Sequence, residues 1–131
     1  MATIFTKIIN REIPAHIVAE DENYLAFLDI NPLVKGHTLV IPKKEVNYIF
    51  DLDDETLSGL NLFAKRVAKA IEKVVPCSRI GVTVIGLEVP HAHIHLIPIS
   101  RMADMNFSNP KLNLTTEELK DIAEKIRGVF V

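Results

Sequence analysis

Residues Arg79–Ile99 read RIGVTVIGLEVPHAHIHLIPI, two apolar runs rich in β-branched side chains with Gly86 and Pro90 between them. RIGVTVIG has the composition of a strand, as does HAHIHLIPI, and the stretch from Gly86 to Pro90 turns the chain from one to the other. Upstream, HIVAE and NYLAFLDI read as strands joined through the polar turn DEN. HTLVIP forms a further strand after the loop NPLVKG, punctuated by Pro32 and Gly36. Between these strands, Leu57, Leu60, Ala64, Val67, Ile71 and Val74 recur every three or four residues, behind aspartates suited to a helix N-terminus, which predicts one long helix ending before Pro76. A short N-terminal helix is expected from Ile4, Phe5, Ile8 and Ile9, stopping before Pro14. A C-terminal helix over about 116–127 is expected from the capping pair Thr115 and Glu118, with Gly128 as its stop. Runs of strands joined by short turns, with helices between and after them, specify an α+β fold on an antiparallel sheet of about five strands.

The chain has 131 residues, of which 48% are hydrophobic, enough for one domain with a core that needs no disulfide or metal. Fifteen Lys and Arg against seventeen Asp and Glu leave a net charge of -2 without a basic block, which argues against long nucleic acid as a partner. The single cysteine, Cys77, forms no intrachain disulfide and no paired metal half-site, as suits a reducing compartment. Neither a signal peptide nor an apolar run of about 18 residues is present, so a cytoplasmic protein without a membrane partner is expected.

The segment PHAHIHLIP places His91, His93 and His95 at alternate positions. In a strand these three share one face, while Ala92, Ile94 and Leu96 take the core face. Each i to i+2 step is about 6.6 Å, so neighbouring imidazoles reach one small group but the outer two start about 13 Å apart. Three readings are open. The histidines are semi-polar filler on a half-exposed face. Alternatively, two of them supply a metal, with His37 as a third ligand, making a hydrolase of His37, His91 and His93. The third reading is nucleophilic catalysis on phosphorus, in which a neutral imidazole forms a phosphoramidate while its neighbours hold the tautomer and bind phosphate oxygens.

HAHIHLI resembles the histidine-triad (HIT) signature, and IFTKIINREIPAHIVAEDENYLAFLDINPLVKGHTLVIPKK is similar to the N-terminal half of the same family, Hint branch included. The resemblance covers roughly residues 4–100, leaving 101–131 as a C-terminal extension of one HIT domain. It implies a homodimer whose sheets join, no cofactor, and a reaction at the α-phosphate of a purine nucleotide or nucleotide conjugate. Nucleoside phosphoramidates or other adenylylated conjugates lead as substrates; a dinucleoside polyphosphate hydrolase and a non-catalytic nucleotide-binding module are the alternatives. His93 matches the family nucleophile, which carries a transient nucleotidyl group. His95 and His37 match residues that contact phosphate or assist the leaving group, and His91 one that orients His93. Asp29 matches the acid that accepts from both ribose hydroxyls, a role suited to an acceptor-only carboxylate. Ile4, Phe5, Ile8, Phe27, Ile30, Leu39 and Val89 match the apolar positions around the base; by periodicity alone they are core.

The chain also departs from the family. Thr3, Thr6 and Glu45 stand where many bacterial relatives carry two Cys and a His, so their structural zinc is not expected here. Before the triad, GLEV replaces the usual Gly-Gln-Ser/Thr region and puts Glu88 where a phosphate donor would be. Such a carboxylate must point away, pair with a histidine, or leave the contact to backbone N–H groups, with Thr83 as a replacement donor. Lys43 and Lys44 offer charge for a polyphosphate or are simply a solvated strand end.

Overall fold

In the computed structural model, which describes residues 2–131, Asp21 closes the first hairpin. Its carboxylate accepts from the backbone N–H groups of Asn23 and Tyr24, both at 2.8 Å, which turns the chain from β1 (Ile17–Glu20) into β2 (Tyr24–Leu28). β2 then pairs along its length with β3 (Thr38–Pro42), from Tyr24 opposite Pro42 to Leu28 opposite Thr38. The later strands, β4 (Arg79–Thr83) and β5 (Ile94–Ile99), pair with each other, and β5 inserts beside β3. The result is an antiparallel five-stranded sheet in the order β1-β2-β3-β5-β4, with β4 at an edge. Three helices complete the α+β fold: α1 (Ile4–Ile9), α2 (Asp54–Val74) and α3 (Thr116–Val129).

Period-two alternation sends Ala26, Leu28, Val40, Ile94 and Leu96 to one face of the sheet, where they pack with Leu60, Phe63, Val67 and Ile71 of α2 and with Leu119, Ile122 and Ile126 of α3. The opposite face carries Leu25, Phe27, Leu39 and Ile41, covered by Phe5 and Ile8 of α1. α2 lies so close to β2 that a Cβ on Gly59 would fall 2.0 Å from the Tyr24 hydroxyl, which donates to the Thr56 carbonyl at 3.0 Å. α3 begins with the reciprocal Thr115–Glu118 capping box that its sequence specifies.

Three boundaries differ from the sequence reading. α3 runs through Gly128 to Val129 and stops at Phe130, because Gly128 keeps a helical backbone and the left-handed turn of a glycine stop is absent there. β4 ends at Thr83 and not at Gly86; Gly86, at φ +76°, belongs to a longer loop. β5 starts at Ile94, so His91 and His93 precede the strand. Among the described residues no helix is long and apolar enough to cross a membrane.

Candidate active site

The chain from Val89 to His93 is bent, and the bend separates the three triad side chains. His91 N–H donates to the Val89 carbonyl at 2.8 Å, and Ala92 N–H to Val46 at 2.7 Å, which fixes the approach to β5. His91 is fully buried. Its Nε2 lies 2.9 Å from the Pro42 carbonyl at the end of β3, an acceptor-only partner, so Nε2 carries the proton. Its Nδ1 is then an acceptor for the Thr3 hydroxyl at 3.1 Å. Thr3 is also the N-cap of α1, accepting from Thr6 N–H at 3.1 Å. Glu45 completes this cluster by accepting from the Thr3 N–H at 2.9 Å and from the Thr6 hydroxyl, bonds that hold its carboxyl below the usual range. Burial lowers the pKa of His91, opposed by its bond to Pro42.

The same accounting assigns the other rings. His93 Nδ1 lies 2.7 Å from the His91 carbonyl and must donate to it, so the neutral tautomer of this ring has its lone pair on Nε2, which has no protein hydrogen bond among the described residues. His37 Nδ1 accepts from Leu33 N–H at 3.1 Å, which places the His37 proton on Nε2, where it is donated to His95 Nδ1 at 3.0 Å. His95 is left with an Nε2–H donor. Burial lowers the pKa of both rings, His37 to about 3 and His95 to about 4, so both are neutral donors at pH 7. The rings of His93 and His95 sit 5.0 Å apart, one a bare acceptor and the other a donor.

Asp29 follows β2, where its backbone N–H donates to the His37 carbonyl at 3.0 Å and one carboxylate oxygen accepts from Asn31 N–H at 2.8 Å. The other oxygen is 3.7 Å from His37 Nε2. Burial pushes the Asp29 pKa up, against the Asn31 bond and the charge of Lys111. Phe5 meets His93 edge-on at 5.0 Å and Phe27 at 5.4 Å, so the apolar cluster of Phe5, Ile8, Phe27 and Leu39, with Val89 against it, abuts the triad. Ile4 and Ile30 are exposed, at 53% and 63%, and stand outside that cluster. On the other side of His93 an apolar cleft of about 600 Å³ opens toward the β4 edge between Tyr48, Phe50, Val82 and Leu87.

Several sequence expectations change. The triad does not lie on a half-exposed strand face; all three rings are buried under α1 and the segment after β5. A metal held by His37, His91 and His93 does not fit, since both His91 nitrogens are engaged elsewhere and His93 Nδ1 is tied to the backbone. The side chains whose donor atoms do converge, within 4.8 Å, are Asp29, His37 and His95, the two rings being hydrogen-bonded to each other. Glu88 is exposed and in no ion pair among the described residues, and its charge opposes ionisation of Asp29. Thr83 sits opposite His95 across the β4–β5 ladder. Lys43 and Lys44 pair with Glu20 and Asp53 instead of reaching the site. Phe107 and Lys111 were not singled out by sequence: no periodicity or motif marks a loop residue that folds back onto two histidines.

The family model of the HIT domain matches residues 10–102. This chain belongs to the HIT family. An uncharacterised HIT-like protein of Borreliella burgdorferi is 37% identical over 131 residues, covering 94% of each chain. A protein of Schizosaccharomyces pombe named adenosine 5'-monophosphoramidase is 36% identical over 129 residues, covering 96% of each. Among solved structures, a HIT-like protein from Bartonella henselae, described as involved in cell-cycle regulation, superposes with a TM-score of 0.83 at 37% identity, covering 96% of this chain and 95% of that one. The HIT domain thus includes Asp29, His37, His91, His93 and His95 and stops short of Phe107, Lys111 and α3.

Proposed function

We propose that this HIT protein is a nucleotide phosphoramidase that works through a nucleotidyl group on His93. The observation that carries the reading is the bond from His93 Nδ1 to the His91 carbonyl, which leaves Nε2 bare and aims the developing positive charge of the ring at an acceptor. In the first step Nε2 bonds to the α-phosphorus as the bond from phosphorus to the leaving nitrogen breaks. In the second, water displaces His93 and releases the nucleoside monophosphate. Summed over both steps one water is consumed, its hydroxyl ending on phosphorus and its proton on the departing amine. His95, as a neutral Nε2–H donor positioned by His37, binds a phosphoryl oxygen and stabilises its growing charge. Asp29 accepts from the ribose hydroxyls, and Phe5, Ile8, Phe27, Leu39 and Val89 enclose the base, with Ile4 and Ile30 at its exposed rim. His91 acts as a positioning residue. The name of the fission-yeast relative supports an adenosine phosphoramidate as substrate.

The β4 edge supports a homodimer. Val82 on β4 is 60% exposed, and Leu87 and Phe50 from the neighbouring loop and turn are 89% and 72% exposed, beside the strand edge that β5 does not pair, a surface that a second sheet edge would cover. The test of function is incubation with adenosine 5'-monophosphoramidate, an alkaline quench that preserves the phosphorus–nitrogen bond of a nucleotidyl-histidine, and mass spectrometry of the protein. An adenylyl group on His93 is expected, with turnover lost and AMP binding kept in His93→Ala; full turnover in that variant refutes the proposal. Complete loss of activity on chelation, restored by zinc, would favour a metal-dependent hydrolase instead. Tight AMP binding without hydrolysis of any conjugate would favour a binding module.

A further inference from the structure

Beyond β5 the chain turns back over the triad on a segment that is fastened along its length. The Asp104 carboxylate accepts from Ser100 N–H at 2.9 Å and from Arg101 N–H at 3.2 Å, which bends the chain out of the strand into a single 3-10 turn, Met102–Met105. Met105 seats against β4 where Gly81 leaves room, since a Cβ at that position would fall 2.7 Å from its Sδ. Asn106 Oδ1 then accepts from Ser108 N–H at 2.9 Å, and Asn109 Nδ2 donates to the Ala103 carbonyl at 2.7 Å. Further on, Leu112 N–H donates to the Pro32 carbonyl at 2.8 Å, which ties the segment to the loop between Asp29 and His37. The turn between these anchors carries Phe107, half-buried and belonging to neither apolar cluster of the fold. Its ring stands edge-on to His95, with centroids 5.1 Å apart and planes at 78°, and to His37 at 6.2 Å and 81°.

His95 is thereby enclosed by three rings, His93 at 5.0 Å, Phe107 at 5.1 Å and His37 at 5.2 Å. The hydrogen bond from His37 decides which nitrogen of His95 carries the proton, yet a single bond at 3.0 Å leaves the ring plane free to tilt and is open to competition from water. An aromatic wall removes both freedoms, because a close-packed ring resists rotation and a hydrogen bond shielded from water is the stronger for it. We propose that Phe107 is a positioning residue for the phosphoryl chemistry: its ring fixes the plane of His95 and keeps water from the His37–His95 bond, so that His95 Nε2–H meets a phosphoryl oxygen already oriented. The same cover contributes to the burial that keeps both rings neutral. The assignment rests on the proposed role of His95 as a phosphate donor and deepens it, placing a residue from outside the matched HIT domain behind a histidine inside it.

The test uses the full-length protein as wild type, Phe107→Ala and Phe107→Leu. With isotopically labelled histidine, the proton that His37 Nε2 donates to His95 should give a slowly exchanging imidazole N–H signal in the NMR spectrum of the wild type. Phe107→Ala admits water and should lose that signal to exchange, whereas Phe107→Leu keeps an apolar cover and should retain it. In hydrolysis of adenosine 5'-monophosphoramidate, Phe107→Ala should lower kcat by about 10- to 100-fold, up to the cost of misplacing a reacting group by about 1 Å, with KM changed by less than about threefold. Phe107→Leu should recover most of the rate. Asn109→Ala, which frees the turn from the Ala103 carbonyl and leaves the ring itself intact, should reproduce both changes in smaller measure, and it decides the matter if a thermal melt shows Phe107→Ala unfolded. Persistence of the imidazole signal in folded Phe107→Ala, or an unchanged kcat, overturns the proposal. A wild type without turnover refutes the phosphoramidase reading alone, and the imidazole signal then decides the role of Phe107 by itself.

Discussion

Lowering the pH from 7 to 5 should destabilise this protein by several kcal/mol, and the His37–His95 pair is the reason. Burial holds His37 at about 3 and His95 at about 4 in the folded protein, whereas a histidine in the unfolded chain protonates near 6.5. Between those values the unfolded chain binds more protons than the native one, so stability rises with pH through that window. Both contributions are therefore fully present above about pH 6.5 and are lost as the pH falls toward the folded values. At pH 5 each ring is neutral in the fold and mostly charged in the unfolded chain, which costs roughly 2 kcal/mol per ring and roughly 4 kcal/mol for the pair. Asp29 acts with the opposite sign, since burial raises its pKa and its protonation in acid favours the folded state. It offsets part of the loss only as the pH descends to that raised value. The assay is urea unfolding at pH 7 and pH 5 of wild type and of His37→Gln/His95→Asn, a pair that keeps a donor and an acceptor between the two positions. The wild type should lose about 4 kcal/mol more than the double variant over this range. Parallel pH dependence in the two proteins would refute the assignment of neutral, mutually bonded rings.

Three further outcomes are expected. Thr3→Val removes the α1 cap and the bond to His91 together and should cost about 1–2 kcal/mol in thermal or urea unfolding, with Thr3→Ser recovering most of it. Gly59→Ala places a methyl group against the Tyr24 ring and should destabilise by about 1–3 kcal/mol in urea unfolding despite the better helix propensity of alanine, because the ring must shift off the Thr56 carbonyl. Val82→Lys at the exposed β4 edge should leave the monomer's far-UV spectrum unchanged and abolish self-association in sedimentation velocity; an unaltered dimer would place the interface elsewhere.

Apolar runs bounded by turn residues were sufficient for the sheet, helical spacing for α2 and the Thr115–Glu118 capping pair for α3, because Leu25 to Leu28, Val40 and the Leu60-to-Ile71 stripe are placed by burial, which the sequence records directly. The ends of elements near the site were less legible. A strand through His91 and His93 satisfies period two, but their backbone is shaped by bonds to Val46 and Val89 that no local pattern encodes. The tautomers could not be read either: that of His37 depends on Leu33 N–H, and that of His91 on Pro42, 49 residues away. Thr3, Thr6 and Glu45 stood out only as absent zinc ligands, and their replacement by a hydrogen-bonded cluster emerges once α1 is docked. Gly128 misled because glycine is tolerated inside a helix whose buried face, here Leu119, Ile122 and Ile126, fixes its length.

α1 spans six residues, too few to persist as a helix away from the sheet, so it exists only as a docked piece. Its undocking needs no strand to part. Release of Phe5 and Thr3 would withdraw the ring beside His93 and the proton donor to His91 in one event, while α2, α3 and the five strands kept their order. Amide exchange in residues 4–9 would then report an opening cheaper than global unfolding, and catalytic competence would disappear at a denaturant concentration where the sheet still reads as native.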